Sequence, residues 1–168
     1  MAGAPDRIVK SILLRATRQR VWDAIADHRQ FGEWFGMRFH APFTAGATVR
    51  ATIVGTTVDP ATAERQRQYE GIEFDVVVER IEPQRLLSFR WHPGGIEAGV
   101  DYTREPMTLV EFTLADAPGG ILLTVTESGF DRLPPERRAN AFNGNAEGWA
   151  ICMTLLERYV AQSAAHAG

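Results

Sequence analysis

Apolar and polar residues alternate along much of the chain between Thr48 and Ser128, and this pattern constrains the fold most. Alternation with period two places successive side chains on opposite faces of a β-strand. Links at 82–84 and 118–120 carry the proline and glycine typical of turns between neighbouring strands. Strands joined this closely predict an antiparallel sheet with one apolar face to cover. The predicted strands are 8–15, 48–54, 72–79, 87–91, 109–115 and 121–128.

Helical segments are predicted on either side of the alternating region. Residues 18–26 are predicted to form a short helix, and 28–35 a second, shorter helical turn or loop that ends at Gly36. A long amphipathic helix starts at Pro134 and runs to about residue 162, with its apolar face toward the sheet. Gly144 and Gly148 within it indicate either a close approach or an open space beside the helix.

The order of these elements predicts an α+β fold, in which a curved antiparallel sheet of about six strands wraps around the long C-terminal helix and leaves an internal cavity. With 168 residues, 45% of them hydrophobic, the chain is expected to form a single domain over 1–168, with an ordered core at about 7–162. Two longer polar connections, 56–69 and 93–106, are expected to be functional or mobile loops.

Composition argues against several classes of function. The net charge of −3 and the singly scattered basic residues argue against nucleic-acid binding. The single cysteine, Cys152, excludes an internal disulfide and a cysteine-based metal cluster, and the four histidines lack metal-ligand spacing. The sequence therefore predicts no metal and no cofactor. It contains neither an apolar run of ~18 residues nor a recognisable signal peptide, so no membrane span and a cytoplasmic location are expected.

Glu127 is the candidate for chemistry, because it shares a strand face with Leu123 and Val125 and would therefore face the cavity. A carboxylate there would serve as a general acid or base, or as a polar anchor for a ligand. The alternative is a structural glutamate that is paired with Arg137 or Arg138, or that caps the last helix.

Asn145 is the polar residue in the central part of the inward face of the long helix. A buried amide needs hydrogen-bond partners, so it is expected to bond a ligand, a water molecule, a loop carbonyl or a facing side chain such as Glu127. Cys152 on the same helix is interpreted as a small core hydrophobe rather than a reactive thiol.

Aromatic residues supply the rest of the predicted site. Trp34 and Phe35 stand where the second short helix ends, and they are expected to form a lid over the cavity mouth. Trp149 and Met153, with glycines nearby, suit an adaptable apolar pocket. The predicted ligand-binding residues are Trp34, Phe35, Phe74, Phe89, Trp91, Phe112, Glu127, Asn145, Trp149 and Met153.

Several short motifs occur along the chain in a specific order and spacing. They are Ala16-x-x-x-x-Val21-Trp22-Asp23-Ala24, Trp34-Phe35, Arg80-Ile81-Glu82-Pro83-x-Arg85-Leu86, Phe89-Arg90-Trp91, Glu127-Ser128-Gly129-Phe130 and Gly148-Trp149. This set resembles the SRPBCC (START-like, helix-grip) superfamily, and within it the branch named for the activator of the ninety-kilodalton heat-shock chaperone ATPase. The resemblance covers residues from about 7 to 160.

The resemblance implies a helix-grip fold with an internal hydrophobic cavity. Members of the superfamily bind lipids, polyketides, hormones or aromatics, and some catalyse cyclisation or hydrolysis. Such a fold does not determine an activity, so the function has to be argued from the site.

Three functions remain open from the sequence. The leading one is binding of a small hydrophobic or aromatic molecule in the cavity. The second is cyclase, dehydratase or hydrolase chemistry on an aromatic or polyketide-like substrate, with Glu127 as general acid/base. The third is a protein-interaction module, either a chaperone partner or a homodimer, suggested by Ile151 and Leu155 on the outer or flanking side of the last helix.

Overall fold

A curved antiparallel sheet and one long helix account for most of the ordered chain in the computed structural model, which describes residues 6–93 and 102–166. Within those residues the sheet has seven strands in the order β1-β7-β6-β5-β4-β3-β2. The strands are β1 (Arg7–Leu14), β2 (Met37–Phe39), β3 (Thr48–Ile53), β4 (Glu73–Glu82), β5 (Leu86–Trp91), β6 (Thr108–Ala117) and β7 (Gly120–Ser128). The helices are α1 (Arg18–Ala26), α2 (His28–Phe35), α3 (Pro60–Gln66) and α4 (Pro135–His166).

This architecture confirms the α+β fold, the two short helices after the first strand and the long terminal helix. The strand that the alternation does not predict is β2, which spans only three residues and is too short for a period to show. The 56–69 connection contains α3 rather than a continuous loop. Asp59 caps this helix by accepting hydrogen bonds from Thr62 N at 3.2 Å and Thr62 Oγ1 at 2.6 Å. Most of the other predicted loop, at 94–101, lies outside the described residues.

Asp27 explains why the helix after β1 is broken. Its backbone N–H donates to Asp23 O at the end of α1, while its side chain accepts from Arg29 N at 2.9 Å and begins α2. α2 ends at Gly36, whose φ of 95° lies in the left-handed region that favours glycine. The chain therefore turns twice within a short distance and returns α2 to the concave side of the sheet.

α2 carries the centre of the hydrophobic core. The fully buried ring of Phe31 has its centroid 4.6 Å from that of Trp34, 5.2 Å from that of Phe35 and 5.6 Å from that of Phe112. Trp34 is 0% exposed, and its Nε1 donates to Ala24 O of α1 at 2.8 Å. Its helical position turns the indole inward, so Trp34 fixes α2 to α1 and does not form an exposed lid.

α4 covers the rest of the concave face and contacts β1, α1 and α2. Its buried side includes Trp149, Met153, Leu156 and Val160, as the helical period predicts. This is the helix-grip arrangement that the resemblance implies. None of the described helices is both long and apolar enough to cross a membrane.

Candidate functional site

Three neighbouring strands bring inward-facing side chains to the same end of the sheet. Trp91 ends β5 and pairs in register with Thr108 at the start of β6. Glu127, close to the end of β7, pairs with Val110 two residues further along β6. Because strand side chains alternate between faces, Thr108, Val110 and Glu127 all continue buried rows of the inner face.

The carboxylate of Glu127 is fully buried and accepts hydrogen bonds from four uncharged side chains. Its Oε2 accepts from Trp91 Nε1 at 2.8 Å and from Thr108 Oγ1 at 2.5 Å. Its Oε1 accepts from Trp149 Nε1 at 2.8 Å, and Asn145 Nδ2 lies 2.9 Å from Oε1 and 3.1 Å from Oε2. We call Glu127 and these four donors the Glu127 network.

The network joins the sheet to the terminal helix. Asn145 and Trp149 are four residues apart on α4, so both side chains project from the same helix face toward Glu127. Arg137 and Arg138, considered from sequence as partners of Glu127, bond elsewhere: Arg137 donates to Glu105 at 2.6 Å, and Arg138 donates to Asp131 O at 2.8 Å. The hydrogen-bond partners of Glu127 are therefore uncharged side chains, and not the arginines that the structural alternative predicted.

Thr108 is the member of the network that sequence reasoning missed. Its hydroxyl makes the shortest of the hydrogen bonds to Glu127, and the residue is 0% exposed. β6 begins one residue earlier than predicted, which adds Thr108 to the inner row that contains Val110 and Phe112. The sequence contained the information to include Thr108, because it lies two residues before Val110 and therefore on the same face of the strand.

Beside the network lies a pocket of about 120 Å³, which we call the inner pocket. The Trp91 and Trp149 rings stack at a centroid distance of 5.7 Å and an angle of 25°, and Phe35 lies 6.0 Å and 5.7 Å from them. For comparison, a dry apolar cavity of about 150 Å³ holds one benzene molecule. The pocket lining consists of Phe35, Trp91, Gly144, Asn145, Gly148, Trp149 and Cys152.

The two glycines of α4 leave the inner pocket open toward a second space. A Cβ placed on Gly144 or Gly148 would meet no atom within 4 Å, so open space lies beside the helix here. A groove of about 370 Å³, the outer groove, shares Phe35, Gly144, Gly148 and Cys152 with the inner pocket. It continues to α3 and the turn that follows it, where Arg65 and Tyr69 line it. A ligand longer than one ring has room to extend this way.

The other residues that the sequence predicts as ligand-binding do not line the inner pocket. Phe89, Phe112 and Met153 are buried in the core, and Phe74 is half-buried with its ring 6.2 Å from that of Trp91. Aromatic side chains therefore fill most of the space that the sequence assigns to a cavity. What stays open is the region between Phe35, the two stacked indoles and α4.

The two apolar residues that suggested a protein-docking face are wholly or partly buried. Leu155 is 2% exposed and belongs to the core, while Ile151 is half-buried and lines the outer groove. Within residues 6–93 and 102–166 no cluster of three or more histidine, cysteine, aspartate or glutamate side chains could hold a metal ion.

Cys152 lines the inner pocket, and its thiol is expected to be unreactive. Burial raises the pKa of its thiol to about 12. We therefore expect it to react with Ellman's reagent near neutral pH at least about a hundredfold more slowly than a cysteine in a short peptide, because the thiolate is the reacting species. The same protein in denaturant is the control and should react at the peptide rate. Equal rates in the folded and denatured states would contradict this placement of the thiol.

A comparison with protein families gives one clear match. The family model described as Activator of Hsp90 ATPase homolog 1-like protein matches residues 15–161. No protein of curated function matches the sequence.

Solved structures of similar fold cover almost the whole chain. DynU16, a protein in the dynemicin biosynthetic locus, is 28% identical with a TM-score of 0.66; the match covers 95% of this chain and 48% of that one, so this chain spans about half its length. A Mesorhizobium loti protein is 21% identical with a TM-score of 0.68, over 93% of this chain and 97% of that one. An Arthrobacter aurescens protein is 16% identical with a TM-score of 0.69, over 94% and 87%.

Proposed function

We propose that this chain, which belongs to the family of Activator of Hsp90 ATPase homolog 1-like proteins, binds a small hydrophobic or aromatic molecule in the inner pocket. The observation that carries the proposal is the open space that the contacting rings of Phe35, Trp91 and Trp149 line on one side, with Gly144 and Gly148 of α4 on the other. Ligand sites are typically apolar clefts with a few placed polar groups, and this pocket has aromatic walls with Asn145 as its polar lining residue.

The state of Glu127 favours binding over catalysis. A general acid or base must reach the proton that it transfers, within about 3 Å or through one water molecule. Here both carboxylate oxygens already accept from side chains of the protein, and the residue has no exposed surface. Glu127 is thus suited to hold the two tryptophans in place, and a catalytic role would require it to release at least one of them.

The comparisons support a small organic ligand more than a protein partner. DynU16 is a putative protein in the dynemicin biosynthetic locus. The family name points to a chaperone ATPase, but the apolar residues that suggested a docking face lie in the core or in the outer groove. We therefore place the ligand in the inner pocket, with its extension in the outer groove.

Indole N–H signals in NMR spectra provide the test, because the chain has four tryptophans at distinct places. A panel of one-ring and two-ring aromatic compounds is titrated into the protein, with signals assigned through Trp→Phe variants. We expect ligands to shift the signals of Trp91 and Trp149 and to leave that of Trp22, on α1, unchanged. No shift with any compound, or shifts centred on Trp22, would contradict the proposal.

A further inference from the structure

The orientation of the Asn145 amide follows from its neighbour. The Glu127 carboxylate offers acceptor oxygens, so the Nδ2 atom of Asn145 must face it, and the distances of 2.9 Å and 3.1 Å agree. The Oδ1 atom of the same amide is thereby turned away from the carboxylate. It accepts no hydrogen bond from the residues that the structure describes, although Asn145 is half-buried and lines the inner pocket.

The N–H groups of the two tryptophans that line the inner pocket already make hydrogen bonds within the protein. The indole N–H groups of Trp91 and Trp149 both donate to Glu127. The rest of the lining is Phe35, two glycines and the thiol of Cys152. Among the described residues of the lining, Oδ1 of Asn145 is therefore the side-chain oxygen that is left to accept from a ligand.

The Glu127 carboxylate behind the inner pocket also favours a ligand that carries a hydrogen-bond donor. The Glu127 carboxylate lies within hydrogen-bond distance of three pocket-lining side chains, those of Trp91, Asn145 and Trp149. A second anion placed against those side chains would be repelled by it in a poorly hydrated environment. A donor group, in contrast, would be stabilised both by Oδ1 and by the carboxylate behind it.

We infer that the inner pocket selects an aromatic ligand that carries a hydrogen-bond donor, a phenol or an aromatic N–H compound, over the matching ether and the matching carboxylate. The inference rests on the proposed function, since it takes the inner pocket as the ligand site. One ring lies against Phe35 and the stacked indoles, with its donor on Oδ1 of Asn145. Any further part of the ligand passes over Gly148 into the outer groove.

Four single-ring probes of similar size test this selectivity: toluene, p-cresol, p-methylanisole and p-toluate. Their affinities for the full chain are measured from the indole N–H signals of Trp91 and Trp149. We expect p-cresol to bind at least about fivefold more tightly than toluene or p-methylanisole, the effect of one hydrogen bond, and p-toluate to bind most weakly.

Two variants of α4 separate the hydrogen bond from packing. In Asn145→Ala the advantage of p-cresol should disappear while toluene still binds. Asn143→Ala, at an exposed position of the same helix, should keep the wild-type order of affinities. The wild-type order decides the question alone, so the test does not depend on how well Asn145→Ala folds.

The outcomes distinguish this inference from the proposed function. Equal affinities of toluene, p-cresol and p-methylanisole would overturn the inference and leave aromatic binding in place. A preference for p-toluate would overturn it as well. Failure of all four probes and of the broader aromatic panel to shift the Trp91 and Trp149 signals would remove the proposed function itself.

Discussion

Replacing Glu127 with leucine is expected to lower the free energy of unfolding by about 4 kcal/mol, an unusually large effect for one substitution. Leucine has a similar size but accepts no hydrogen bond. The donors of Trp91, Thr108, Asn145 and Trp149 would lose their shared acceptor, at a cost of about 1 kcal/mol or more for each group that stays buried. Urea unfolding, followed by circular dichroism, measures the loss.

Glu111→Gln is the matched control for this prediction. Glu111 lies on the neighbouring strand β6, on the opposite face of the sheet and partly in contact with solvent. Its substitution is expected to change the free energy of unfolding by less than about 0.5 kcal/mol. Glu127→Gln keeps one acceptor oxygen and should lose about half as much as Glu127→Leu. A loss below about 1 kcal/mol for Glu127→Leu would show that the network does not stabilise the fold.

Gly148→Leu is expected to weaken aromatic binding by at least about a hundredfold while it stabilises the protein. The new side chain would occupy the open space at the junction of the inner pocket and the outer groove. Leucine in a helix interior is also favoured over glycine by about 0.8 kcal/mol. Probe titrations and urea unfolding on the same samples measure both effects.

Gly148→Leu is expected to weaken binding and to raise the free energy of unfolding, and these opposite effects make the prediction specific. A substitution that damages the fold lowers stability and binding together, whereas a filled pocket lowers binding alone. Asn143→Ala is the control, because it improves helix propensity at an exposed position and should leave binding unchanged. Unchanged affinity in Gly148→Leu would place the ligand elsewhere.

Much of the fold is predictable because its elements have strong periods. Strands β6 and β7 alternate over ten and nine residues, and their buried rows follow that alternation closely, whereas β5 is buried on both faces over its first four residues. The short strand β2 has no such period and becomes a strand only through pairing with β3. Helix α3 was predicted as part of a loop, because its seven residues are too few for a clear apolar stripe, although Asp59-Pro60 is a helix-start signal.

The site is predictable in its parts more than in its geometry. Glu127 and Asn145 stand out because each is polar in an otherwise apolar row, and they do bond one another. Whether an aromatic side chain forms a wall or fills the core depends on rotamers and on helix rotation, which the sequence pattern does not encode. Trp34 and Phe35 illustrate this: one indole turns into the core and bonds Ala24, while the neighbouring ring lines the inner pocket.

The smallest side chains that line the inner pocket do not belong to the Glu127 network. Gly144, Gly148 and Cys152 shape the inner pocket but donate no hydrogen bond to Glu127. Substitutions at these three positions can therefore alter the size and polarity of the pocket while the network keeps helix and sheet in register. At the proposed ligand site, single substitutions of this kind are therefore expected to change ligand preference without loss of the contacts that join sheet and helix.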